Sequence, residues 1–160
     1  MIKNIVKADL PGCLKVFHAG YDTVAVEFGL TEENCPDRGR ASLPMKKLIS
    51  EFENGVNMYG YFIIDEIVGF LGIKMIDAKT CKLDDIIVLP EHRNNGYGKQ
   101  LLDFCKLEAR KLGARKIILG MIDDNKRLRK WYENNGFINI GYVQYDGASF
   151  IVGKMEYSII

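Results

Sequence analysis

The stretch Val88-Leu89-Pro90-Glu91-His92-Arg93-Asn94-Asn95-Gly96-Tyr97-Gly98-Lys99 decides the fold of this chain. It leaves an apolar run through a proline, passes a cation, two amides and two glycines, and enters the helical pattern that starts at Gln100-Leu101-Leu102. Glycine at a helix start costs stability, because it gives up more backbone freedom than any other residue. Something must offset that cost. A helix start presents unpaired N–H groups and a partial positive charge. Residues without a Cβ let an anion approach that backbone closely, and Arg93 and Lys99 add full charges. Two phosphate fingerprints nevertheless fail. The dinucleotide pattern G-x-G-x-x-G has Leu101 where its third glycine belongs, and the Walker pattern has Arg93 for its first glycine and Gln100 for its hydroxyl. Glycine spacing alone leaves two readings open: a phosphate loop, or a turn that needs positive φ with solvated charges beside it.

Working outward, Cys81–Pro90 reads as a strand stopped by proline. Gly98–Gly113 reads as a helix with Leu101, Leu102, Cys105, Leu107 and Leu112 at helical spacing and Gly113 as its terminator. Arg115–Ile122 is a buried strand. Asn125 caps a short helix that Gly136 ends. Phe137–Asp146 and Ser149–Ile159 form a closing hairpin. Upstream, Asn57–Asp65 and Glu66–Ile76 form a hairpin turning at Asp65-Glu66. Lys3–Ala8 is a short strand. Asp9 caps a helix with Pro11 in its first turn, reaching about Tyr21. Asp22–Pro44 reads as a broken helix followed by a loop, and Ser42–Gly55 as a second helix. This order gives a mixed sheet with helices and not a regular βαβ repeat.

Composition narrows the function. The chain has 160 residues, 48% apolar and 27% charged, with a net charge of +1. That is one domain with a sizeable core, 1–160. Near-neutrality argues against nucleic acid as a partner. Four cysteines without a Cys-x-x-Cys pair, and only two histidines, predict neither a metal site nor a disulfide framework. The N-terminus lacks the pattern of a signal peptide, and no apolar run would span a membrane. A cytoplasmic protein with reduced thiols is expected.

The segment Val88 to Lys99 resembles the acyl-coenzyme A signature [QR]-x-x-G-x-[GA] of the GNAT superfamily of N-acetyltransferases, which follows a strand ending in V-x-P. A second block of that family stands at the expected distance: Asn125, then a helix carrying Tyr132, then Gly136-Phe137. The resemblance implies an α/β (α+β mixed) fold. Its mixed, mostly antiparallel sheet would have six to seven strands and about four flanking helices, with a splay between two central parallel strands. It implies an N-acetyltransferase that uses acetyl-CoA as cosubstrate, needs no metal and works through a ternary complex. The acceptor would be a small-molecule amine, ahead of a protein amine. The chain would act as a monomer or homodimer.

Site residues follow from the same resemblance. Backbone groups of Ile87 and Val88 would pair with the pantetheine arm. The N–H groups of Asn94, Asn95, Gly96, Tyr97, Gly98 and Lys99 would take the pyrophosphate, with Arg93 opening the loop. Asn125 would contact the cofactor. Tyr132 would be the general acid for the departing thiolate, since a phenol stays protonated at neutral pH. A backbone N–H near Val88 would meet the oxyanion. No family base is present: Gly120 and Lys82 hold the two positions where relatives carry glutamate. Strict strand alternation lets only one of Asp84 and Asp85 look into the cleft, and Asp84, sharing the face of Val88, is the candidate, with a water chain as the alternative. The unclear base also leaves open a non-catalytic acyl-CoA-binding module.

Overall fold

The computed structural model describes residues 1–160. In chain order the elements are β1 (Ile2–Asn4), α1 (Leu10–Glu27), α2 (Met45–Glu53), β2 (Asn57–Ile63), β3 (Glu66–Met75), β4 (Thr80–Val88), α3 (Tyr97–Lys111), β5 (Lys116–Ile122), α4 (Lys126–Asn134), β6 (Ile138–Val143) and β7 (Val152–Ser158). All seven strands form one sheet in the order β1-β2-β3-β4-β5-β7-β6. Every neighbouring pair is antiparallel except β4 and β5, which run parallel. A mostly antiparallel mixed sheet with four helices is the expected fold.

Helix α1 buries Leu10, Cys13, Val16, Phe17 and Gly20, the 10-13-16/17-20 spacing of one helical face. Asp9 does not cap it; its carboxylate accepts the Val6 N–H at 2.9 Å instead. The helix runs past Tyr21 to Glu27, further than the sequence suggested. Its polar residues there are satisfied: the Thr23 hydroxyl donates to the Gly20 carbonyl at 2.8 Å, and Asp22 pairs with Arg38 at 2.9 Å. Ala25 continues the buried face. The core is shared by both faces of the sheet, with Phe17 from α1, Phe70, Leu71 and Ile73 from β3, Leu101 and Leu102 from α3, and Ile117 from β5 all fully buried. The four cysteines are buried free thiols.

Two features of the sheet position the site. First, β4 and β5 pair only over Thr80–Lys82 and Lys116–Ile118. Beyond that the strands part, so a gap opens between their C-terminal halves, up to Val88 and Ile122. Second, β4 carries one extra residue against β3: Gly72 faces Asp85 while Ile73 faces Leu83. This bulge at Asp84 flips the side-chain alternation. Before it, Cys81 lies near Cys105 of α3. After it, Asp85 and Ile87 face α1.

Gly20 lets α1 approach that face. A Cβ there would lie 2.3 Å from Ile87 Cδ1 and 2.4 Å from its Cγ1. Gly20→Ala gains about 1 kcal/mol of helix propensity but overpacks a core contact at a cost of about 1–3 kcal/mol. Because Cγ1 is held close to the strand backbone, overpacking wins. A lower midpoint of thermal unfolding is the expected outcome.

Candidate active site

A cleft of about 640 Å³ opens at the C-terminal end of β4, within the size range of small-molecule sites. Its walls are α1, the end of β4, the loop into α3, and the start of α4. The loop is built from left-handed turns. Asn94 has φ +64° and Gly96 has φ +82°. No side chain or backbone lies within 4 Å of where a Gly96 Cβ would be, so this glycine serves conformation and leaves open space above it. None of the backbone N–H groups from Asn94 to Lys99 donates to a backbone carbonyl; the first helical bond is Gln100 N–H to the Gly96 carbonyl at 3.1 Å. Six donors and a helix N-terminus thus stay free beside the cleft, a nest suited to an anion.

Arg93 turns inward from this loop. Its Nε donates to the Val88 carbonyl at 3.1 Å, one terminal nitrogen to Thr23 Oγ1 at 3.0 Å and the other to the Gly20 carbonyl at 3.0 Å. It ties the loop to α1 and holds the end of β4. Burial, and then the nearby Arg127 charge, lower its pKa. Asn95 donates to the carbonyls of His92 and Arg93, at 3.1 and 3.3 Å, and so braces the turn. The Lys99 ammonium pairs with Asp103 one helical turn on, at 2.7 Å. Tyr97 stacks on Tyr61 with ring centroids 4.5 Å apart. Ile87 and Val88 line the cleft where β5 has turned away.

Across the cleft, Asn125 is buried and caps α4, its side-chain oxygen accepting the Leu128 N–H at 3.2 Å. Arg127 forms a two-point pair with Glu27 of α1, both contacts at 3.0 Å. Tyr132 does not line the cleft; 3% exposed, it lies behind Trp131, packed between Trp131 and Phe137. No protein group hydrogen-bonds its hydroxyl, and that oxygen is not sealed from solvent. Burial first, then the Cys105 and Asp85 groups, raise its pKa well above the usual phenol value, so it holds its proton at neutral pH.

Asp84 does not line the cleft. At the bulge its carboxylate lies 3.3 Å from the Lys82 ammonium and 4.0 Å from that of Lys74. The buried carboxylate is its neighbour. Asp85, 3% exposed, accepts the Tyr21 hydroxyl at 2.7 Å and an Arg40 terminal nitrogen at 2.8 Å. Arg40 also forms a two-point pair with Glu51 of α2, at 3.0 and 2.9 Å, and stacks over Phe17 at 5.0 Å. It is delivered by an unusual backbone: Asp37, Arg38, Gly39 and Arg40 all have positive φ, Arg40 at +79°. A non-glycine residue there carries strain. Sequence reasoning missed this cluster. The one signal for it, the polar tract Asp37–Arg40 followed by the acidic pair Asp84-Asp85, says nothing of the fold-back that joins them.

With this geometry in place, comparisons add a family and a set of folds. The acetyltransferase (GNAT) family model matches residues 26–137. A search of curated protein sequences finds no match. Among solved structures, the chain is similar to the ribosomal-protein-S18-alanine N-acetyltransferase from Escherichia coli, with TM-score 0.78 and 16% identity over 99% of this chain and 93% of that one. It is similar to the PaiA N-acetyltransferase from Thermoplasma acidophilum in complex with coenzyme A, with TM-score 0.75 and 21% identity over 99% and 98%. It is also similar to a GNAT family acetyltransferase from Elizabethkingia anophelis with acetyl-CoA bound, with TM-score 0.67 and 16% identity over 99% and 97%.

Proposed function

Because the chain belongs to the acetyltransferase (GNAT) family, we propose that it moves an acetyl group from acetyl-CoA to the primary amine of a small molecule, with residues 1–160 serving as one N-acetyltransferase domain. One observation carries the reading: six unpaired backbone N–H groups lie beside a cleft walled by the end of β4, past the point where β5 has parted from it. That arrangement fits a long thioester cofactor with a pyrophosphate at one end. When bound, acetyl-CoA supplies an activated acyl group.

The residues of this chain divide the remaining work. The Asn94–Lys99 backbone holds the pyrophosphate, and Gly96 and Gly98 keep side chains out of its way. Gly98 has room for a Cβ within the protein, 3.7 Å from Trp131 and 4.0 Å from Val88, so the space it leaves is for a ligand. Arg93 acts by bracing the loop and not by meeting phosphate. Val88 turns its backbone away from β3 where β5 has parted; its carbonyl is held by Arg93, and its N–H is left to meet the pantetheine arm or the developing oxyanion, while Ile87, whose backbone faces β3, contributes to the cleft wall. Asn125 keeps its amide nitrogen for the cofactor. Tyr132 donates its proton to the departing sulfur, a step for which its elevated pKa keeps it charged with a proton throughout the neutral range.

Thiol release from acetyl-CoA across a panel of amino alcohols, aminosugars, polyamines, amino acid esters and N-terminal peptides tests the reading. Release on one chemical class of small amines is the expected result. Acetyl-CoA binding without release on any of them, peptides included, would contradict it.

A further inference from the structure

The Tyr21–Asp85–Arg40–Glu51 cluster lies against the wall of the cleft that Tyr21 lines, and none of the roles assigned above uses it. Tyr21 lines the cleft, while Asp85 behind it does not. The Tyr21 hydroxyl spends its proton on Asp85 at 2.7 Å, so its lone pairs remain for a donor from the cleft side. The groups facing Asp85 are Tyr21 from α1, Arg40 from the loop before α2, Glu51 from α2, its neighbour Asp84 on β4, and Tyr132 from α4. One cation, Arg40, is shared between two carboxylates, so the cluster keeps a net negative charge.

We infer that Tyr21 takes the proton from the incoming ammonium and relays its own to Asp85. The inference rests on the transferase reading above and supplies the base that reading lacks. The balance is simple. An ammonium N–H bond breaks toward Tyr21 Oη while the Tyr21 O–H bond breaks toward Asp85 Oδ1. The amine gains its lone pair, Tyr21 ends neutral, and Asp85 becomes a neutral acid. Tyr21 is the catalytic residue, and Asp85 is the positioning residue that acts through it. Burial raises the Asp85 pKa to about 6, against the opposing pull of Arg40 and the Tyr21 hydrogen bond. Such a group is ionised at neutral pH yet accepts a proton readily. A cationic primary amine is the substrate class that both needs this relay and is drawn by the cluster's charge.

The test compares wild type, Asp85→Asn and Tyr21→Phe, each nearly isosteric. Thiol release is followed with acetyl-CoA and n-butylamine from about pH 5 to about pH 9, together with acetyl-CoA binding. The Asp85 carboxyl is titrated separately by carbon NMR in cofactor-free protein. Wild-type kcat should rise with pH through a limb near the Asp85 pKa, because the base works only when ionised. Both variants should lose that limb and about 100-fold or more in kcat, with acetyl-CoA affinity unchanged. The Asp85 signal should titrate near about 6 and move upward in Tyr21→Phe, where a hydrogen bond to the ionised form is gone. Retention of the limb and of kcat in Asp85→Asn would overturn the relay, as would an Asp85 carboxyl that titrates in the ordinary carboxylate range. Failure of wild type to bind acetyl-CoA is a different result; it removes the transferase reading, and the relay with it.

Discussion

Tyr132→Phe is expected to lower kcat about 100-fold or more while leaving acetyl-CoA affinity close to wild type. The magnitude is that of a positioned general acid. Only the proton is lost. Phe keeps the ring between Trp131 and Phe137, with centroids 5.0 and 5.4 Å away. The hydroxyl has no hydrogen-bond partner in the protein, so its removal strands no buried group and should leave thermal stability within about 0.5 kcal/mol. Steady-state thiol release and calorimetric binding, measured on the same preparation, separate the two terms. Unchanged kcat would remove Tyr132 from the chemistry.

Gly96→Asp is expected to weaken acetyl-CoA binding about tenfold to hundredfold. Two effects combine. The backbone sits at φ +82°, a conformation that L-residues reach only with strain, although Asp tolerates it better than most. A carboxylate would also stand over the N–H groups proposed to take the pyrophosphate; like charges about 5 Å apart repel by roughly 1–3 kcal/mol at the effective dielectric of a protein surface. Gly96→Asn carries the strain without the charge and should lose much less affinity. Titration calorimetry of the two variants checks this. Equal losses would mean that backbone geometry, and not an anion, explains the loop.

Those two residues lie in the part of the chain that local pattern makes legible. A proline-stopped strand, a left-handed glycine turn and a helix start are short-range signals, as is Asn125 capping the helix that carries Tyr132. The fold was legible for the same reason, since the order of strands and helices leaves few ways to close a mixed sheet. What was hidden is non-local. Alternation points to Asp84, but a single extra residue in β4 opposite Gly72 sends Asp85 toward α1 and leaves Asp84 with two lysines. No residue in β4 announces that bulge; it belongs to the pairing with β3. Arg40 reaches Asp85 only because four successive residues, three of them not glycine, take left-handed backbone. Arg93 looks like a phosphate ligand from its charge and place, yet the proximity of α1, permitted by Gly20, gives its guanidinium three inward acceptors.

This division bears on how the site is held together. The loop from Asn94 to Lys99 is braced from inside by Arg93 and Asn95, which fix the direction of its free N–H groups. The far side of Tyr21 is braced by Arg40, shared between Glu51 of α2 and Asp85 of β4. No helix of the chain is long and apolar enough to cross a membrane.

The most direct test of the central claim is titration calorimetry of the wild-type protein with acetyl-CoA, repeated in the presence of coenzyme A and of ATP. Saturable binding that coenzyme A abolishes and ATP leaves largely intact is the predicted result, because in the proposed reading the cleft holds the pantetheine arm along β4 as well as the pyrophosphate. No binding of acetyl-CoA, or equal displacement by ATP, would contradict the account: the loop from Asn94 to Lys99 would then be a plain turn or a general phosphate site.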